Sequence, residues 1–236
     1  PRSAAGYFDM AYIPVGGRSI PLIPGDWTLE VYHGIEYDRT VLDIHIESRE
    51  KKRITVPLAQ SNPTPGWTSV EAGVRTVATP GNMVGAEDIV LMAAAEGVDW
   101  IISGDFETLT DLTPVIRGLG FEGQVRSIMG FRTAHPRFVE WGQFFLYPIG
   151  PDAQDPLKAR NHWINTESSE EFIAALRGQY PDAIIQSDLP YTHTGKGYFS
   201  RGDENPYRVG YTTPDGVDAT IDAVALMRSR GVNELK

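Results

Sequence analysis

"VDWIISGDFETLTDL", residues 98–112, decides the fold. The apolar run "VDWII" has the length of a buried strand, and after the polar turn "TDLTPVIRGLG" has the character of a short helix. Strand, turn and helix in succession form the unit of an α/β protein, which carries its chemistry at the carboxyl ends of its strands. The turn holds Asp105, Glu107 and Asp111, the best carboxylate cluster in the chain. Two readings stand side by side: an acid–base or metal-binding group, or a turn in which Thr110 or Asp111 caps the next helix.

The same alternation continues downstream. "GAEDIVLMAAAEG" is expected to be helical, with acids in its first turn and Gly97 as its stop. "QVRSIM", "QFFLYPI" and "DAIIQS" are expected strands, and Ser168 with Glu171 forms a capping box that starts a helix running to about Gly178. "DGVDATIDAVALMRSRG" is expected to be a final helix, with Val217, Ile221, Val224 and Ala225 on one face. Helices alternating with strands predict a mostly parallel sheet or barrel.

Upstream the pattern changes to period two. Trp27, Leu29 and Val31 alternate with polar residues in "DWTLEVYHG", and Leu42, Ile44 and Ile46 do so in "TVLDIHIES". "KRITVPL" predicts a third strand. Residues 1–60 therefore read as a small antiparallel β-sandwich, and Pro63, Pro65 and Gly66 mark residues 61–66 as a linker. Residues 67–236 form the α/β part.

Composition narrows the function. The chain has 236 residues, 41% hydrophobic, enough for one or two cores. A formal charge of −10 argues against nucleic acid and anionic lipid as partners. With no cysteine, neither a thiolate nucleophile nor a Cys-ligated metal is possible. No apolar run has membrane-spanning length, and "PRSAAGYFDM" lacks the pattern of a signal peptide. Since it does not begin with Met, the chain is read as a possible processed product or fragment.

His33, His45, His135, His162 and His193 show no metal-ligand spacing. His45 is expected on a solvated strand face. His135 and His193 are expected in loops with structural or solvent roles. "GKGYFSRG" lacks the spacing of a phosphate loop, Asp152 and Asp155 read as an ordinary turn, and no G-x-S-x-G elbow is present.

On these segments the chain resembles the polymerase-and-histidinol-phosphatase (PHP) superfamily of metal-dependent hydrolases, in the form preceded by a carboxypeptidase-regulatory-like β domain. The resemblance covers about residues 18–190. "IPLIPGDWTLEVYHGIEYDRTVLDIHIE" is similar to the leading domain. The family's Gly-Trp…His-x-His-Thr becomes "GWTSVEAGVRT", with Gly73 and Arg75 at the histidine positions. Thr-Asp-His-Asn-Thr-Leu becomes Gly104, Asp105, Phe106, Glu107, Thr108 and Leu109. A Gly-Glu-Glu segment corresponds to "GFRT", with Phe131 and Arg132 in place of carboxylates. Gly-His-x-Asn-x-x-Pro becomes "GQFFLYP", with Gln143 and Phe145, and Asn-His-Pro becomes Asp188, Leu189 and Pro190.

The resemblance implies a reduced or open PHP-like α/β barrel, completed by something outside the chain, and an extracytoplasmic location. Gly73, Arg75, Phe106, Gln143 and Leu189 are vacated ligand positions, so neither a metal nor any other cofactor is expected. Gly, Phe and Leu offer no side-chain donor, and the Arg75 guanidinium repels a divalent ion. A pseudoenzyme follows, acting as a scaffold or interaction subunit with one or more protein partners. Its candidate contact residues are Tyr191, Tyr198, Phe199, Tyr207 and Tyr211, in a loop rich in Gly, Pro and Tyr. Two other readings are a hydrolase rebuilt on Asp105, Glu107 and Asp188, and an anion or small-ligand site at Arg75.

Overall fold

The computed structural model describes residues 10–14, 16–135, 142–188 and 221–224. It is an α/β structure with open sheets and, among the described residues, no closed barrel.

The amino-terminal part forms the ribbon that its alternation predicts. Strands β1 (Gly25–Val31) and β2 (Thr40–Ile46) pair antiparallel, with Trp27 opposite Ile44 and Leu29 opposite Leu42. The opposite face is exposed and polar, with a hydrogen bond from Thr28 to Asp43 at 2.6 Å and a His45–Asp26 contact at 2.7 Å. His45 is solvated, as its strand position predicts.

The third strand expected at 52–58 does not form. Ile54 is exposed and Val56 and Leu58 are only half-buried, so packing gives their alternation little support. Pro57 also lacks the N–H a ladder requires. Only an isolated bridge, Tyr37 to Gln60, follows. The expected sandwich is thus represented, among the described residues, by one two-stranded sheet. Residues 61–64 are tied to the turn after β1: the Ser61 and Asn62 amides donate to the Glu36 carbonyl, and Thr64 and Gln60 donate to the Glu36 carboxylate.

Helix α1 (Ala86–Ala95) has Glu87 and Asp88 in its first turn, where the helix dipole favours negative charge. Ile89, Val90, Ala93 and Ala94 are its buried stripe. His33 lies 2.7 Å, through Nδ1, from the Ala95 carbonyl at the end of α1, a structural role. Helix α2 (Thr113–Leu119) starts with Pro114 in its first turn and ends at Gly120, which is left-handed. Its N-cap is Leu112, not Thr110 or Asp111, and no side chain caps it.

The remaining strands are β3 (Val70–Val74), β4 (Trp100–Ser103), β5 (Asp105–Phe106), β6 (Arg126–Ile128), β7 (Phe131–Arg132), β8 (Phe144–Tyr147), β9 (Ile184–Ser187) and β10 (Ala223–Val224). They form a three-stranded sheet, β3-β4-β6, and a five-stranded sheet, β10-β9-β8-β7-β5. The larger sheet is mixed rather than mostly parallel: β5–β7 and β9–β10 are parallel, while β7–β8 and β8–β9 are antiparallel. The connection from Thr133 to Gln143 falls short of the dozen or so residues a parallel crossover takes, so β8 returns antiparallel.

Two further helices, α3 (Pro156–Ala159) and α4 (Ser169–Gln179), precede β9. Asp155 caps α3 by accepting from the Leu157 and Lys158 amides, which makes "GPDAQDP" the structural turn it was read as. Ser168 caps α4 through the Glu171 amide at 3.2 Å, as predicted. Where the described residues reach the expected final helix, at 221–224, they form a strand instead: Ala223 and Val224 pair with β9, while Val217, Ala225 and the rest of that expected helix lie outside the described residues. The Asp222 amide donates to the Ile185 carbonyl at 3.0 Å, and the Asp222 carboxylate accepts from the Ile185 amide at 2.8 Å and from Arg177.

By proximity the chain groups into two units. The first comprises Pro1–Glu71, Met83–Ile101 and Leu112–Ser127, and the second Ala72–Asn82, Ile102–Asp111 and Ile128–Lys236. Ile89, Val90, Ile101, Leu112, Ile116, Phe121 and Val125 are buried in the first. The second holds a cluster built on Phe131, Phe144, Leu146, Trp163, Phe172, Ile173, Leu176 and Ile185. Burying each such side chain contributes about 1.5–3 kcal/mol. No helix among the described residues is long and apolar enough to cross a membrane.

Candidate functional site

The pleat of the larger sheet sorts the candidate residues onto two faces. Phe131, Leu146 and Ile185 are paired across β7, β8 and β9 on the core face, and Asp105 on β5 joins their row. One residue along, Phe106, Arg132, Phe145 and Gln186 form the matching row on the opposite face. Every residue discussed below belongs to the second unit.

Asp105 is fully buried, and its carboxylate accepts four hydrogen bonds: from the Thr76 amide (2.8 Å), Thr76 Oγ1 (2.8 Å), Thr79 Oγ1 (2.6 Å) and Thr110 Oγ1 (2.6 Å). A carboxylate has roughly four acceptor sites, so this one is saturated. Its work is to fix the turn Thr76–Thr79, and Thr110 serves it rather than a helix end. Leu109 packs against the core cluster.

Glu107 has a left-handed backbone (φ 48°) and is buried. Its Oε2 lies 3.2 Å from Arg160 Nε, while its Oε1 and the Trp163 indole nitrogen complete no hydrogen bond. Burial pushes the carboxyl above its ordinary value, and the charge of Arg160 pulls it back only in part. Protonation is therefore easier in the native state than in the unfolded one. The stability this supplies is complete below the ordinary glutamate value of 4.5 and is lost as pH rises through the native value. Glu107→Gln should accordingly gain stability relative to the wild type as pH increases from about 4.5 toward neutrality. Denaturant titrations at several pH values check this; parallel pH profiles for the two proteins would contradict it.

On the other face Arg132 occupies the space between the strand ends. Its Nε donates to Asp188 Oδ2 at 2.6 Å, and its Nη1 donates to the carbonyls of Gly73 (2.6 Å) and Gly104 (2.9 Å). The guanidinium lies 5.0 Å from the centre of the Phe145 ring, and the Asp188 amide is held by the Gln143 carbonyl at 2.8 Å. Two glycines make this room. A Cβ at Gly73, whose φ is +80°, would stand 2.1 Å from Arg132 Nη2, and one at Gly104 would stand 2.6 Å from Nη1. Arg75 is exposed, with its guanidinium 5.9 Å from the Phe106 ring centre.

Gly73, Phe145, Arg132 and Asp188 thus meet in one cluster, with Gln143 at its edge and Arg75 and Phe106 alongside. Asp105, Glu107 and Asp188 do not converge into a carboxylate site. The first two point to the core face, Asp188 lies on the other, and each has separate partners. The residues present do not fit a divalent cation: Gly73 and Phe106 have no donor, and a guanidinium fills the position between them. Among the described residues no three His, Asp or Glu side chains form a metal-binding group.

His135 is buried against Phe172, with ring centres 4.7 Å apart, in a structural place. Leu189, His193, Tyr191, Tyr198, Phe199, Tyr207 and Tyr211 lie outside the described residues. Sequence reasoning missed the threonine ring around Asp105, although the spacing in "TVATP" and "TLTD" was visible. It also missed Arg160 and Trp163, for which no local signal exists. No family model matches the chain, and comparisons with curated proteins and with solved structures return no match.

Proposed function

We propose that the chain is a noncatalytic scaffold or interaction subunit of a larger extracytoplasmic protein assembly, built on a PHP-like frame whose metal ligands have been replaced. One observation carries this reading: Arg132 fills the space between the strand ends and is bonded to Asp188 and to the carbonyls of Gly73 and Gly104. An immobilised cation in that place stabilises the frame and leaves no seat for a divalent ion or an activated water. In this reading the β ribbon is the remnant of a carboxypeptidase-regulatory-like module, the open sheets are those of a reduced barrel, and Tyr191, Tyr198, Phe199, Tyr207 and Tyr211 supply the contact surface.

The test has two parts. The purified protein should hold less than stoichiometric metal by elemental analysis, and it should not hydrolyse phosphomonoesters or phosphodiesters with added manganese or zinc. Polar replacement of Tyr198, Phe199 and Tyr207 together should abolish capture of the native partner without unfolding the chain. Stoichiometric metal with turnover lost in Asp188→Asn would establish the hydrolase instead and end this reading.

A further inference from the structure

The row across the larger sheet alternates cation and aromatic ring. Phe106 and Arg132 are register partners on β5 and β7, and Arg132 and Phe145 on β7 and β8, so all three side chains share one face. Arg75 joins the end of the row over the Phe106 ring. Two guanidiniums therefore flank Phe106.

Their donor capacity is unequally used. Arg132 commits Nε to Asp188 and Nη1 to two carbonyls, while Nη2 makes no hydrogen bond among the described residues. Its side chain is 11% exposed. Arg75 is exposed and no carboxylate pairs with it among the described residues. An aromatic ring against one flat side of a guanidinium strips water from that side and leaves the N–H groups directed outward at its edge. Such an edge matches the planar oxygens of a carboxylate or phosphate.

We propose that the exposed Arg75 end of this row binds a small oxyanion, a carboxylate or phosphate group held between Arg75 and Nη2 of Arg132. Two carboxylates temper the attraction. Asp188 neutralises Arg132 directly, and Asp105 lies one residue away on the opposite face with its oxygens taken by threonines. Local charge is thus close to balanced and the chain as a whole is acidic. Recognition rests on hydrogen-bond geometry, and the expected dissociation constant is on the order of millimolar. The site does not depend on the scaffold reading, since an anion could occupy it whether or not the chain has a protein partner.

Titration of the purified chain with inorganic phosphate, and in a second arm with acetate, tests the proposal, with ionic strength held constant by chloride and backbone amide resonances followed by NMR. At least one of the two anions should produce saturable shifts centred on Gly73, Arg75 and Phe106. Arg75→Gln, an exposed change that leaves the fold intact, should weaken binding about tenfold or more, and Arg75→Lys should fall between. The arm that saturates at lower concentration identifies the preferred oxyanion. Shifts that fail to saturate with both anions, or that are equal in Arg75→Gln and the wild type, would overturn the proposal.

Discussion

Arg132→Met is expected to lower the free energy of unfolding by about 3–5 kcal/mol, the usual cost of removing one partner of a buried ion pair. The loss has identifiable parts. Asp188, 7% exposed, loses its cation, and the carbonyls of Gly73 and Gly104 lose the donor they share. Arg132→Lys should recover only a minor share, because an ammonium on a flexible stem lacks the planar fork that reaches a carboxylate from Nε and two carbonyls from Nη1. Arg132→Met combined with Asp188→Leu should be more stable than Arg132→Met alone, since an apolar pair leaves no buried charge without its counterpart. Denaturant unfolding of the four proteins measures all three expectations. A loss below about 1 kcal/mol for Arg132→Met would mean the guanidinium is no keystone.

Asp105→Ala is expected to be of comparable size, about 3 kcal/mol or more, because four donors lose one charged acceptor at a buried site. The more diagnostic variant is Asp105→Asn. Its amide keeps the shape but offers one oxygen, so at least one threonine hydroxyl must face an N–H donor or turn away. It should destabilise by about half as much or more, with the largest change in amide exchange at Thr76–Thr79, the turn that Asp105 fixes. A catalytic Asp105 would show the opposite pattern, with activity lost and stability nearly unchanged.

The elements legible in the sequence are those specified by neighbours along the chain. Ser168 announces α4, Gly120 ends α2, and period two sets the β1–β2 register. The failures come where distant contacts overrule local pattern. Ile221 and Val224 have helical spacing, yet Asp222 is drawn into the sheet by Ile185, 37 residues away in sequence. Ile54, Val56 and Leu58 alternate as a strand should, yet Ile54 stays exposed and Val56 and Leu58 are only half-buried. At the site, the absence of donors at Gly73 and Phe106 could be read directly. That Arg132 fills the space depends on a contact across 59 residues, which no local pattern reports. The two readings of "GDFETLTDL" separate on the same ground: neither Thr110 nor Asp111 caps the following helix, and Thr110 instead joins Asp105 in anchoring the distant turn Thr76–Thr79.

Gly73, Gly104 and Arg132 form an interlock in mutational terms. Any side chain at 73 or 104 collides with the guanidinium, and removal of the guanidinium leaves a gap with stranded carbonyls. Each single change from this state is penalised, whereas a joint change need not be. The three positions should therefore vary as a set among related chains. A lineage that has entered this arrangement would have to cross a less stable intermediate to leave it.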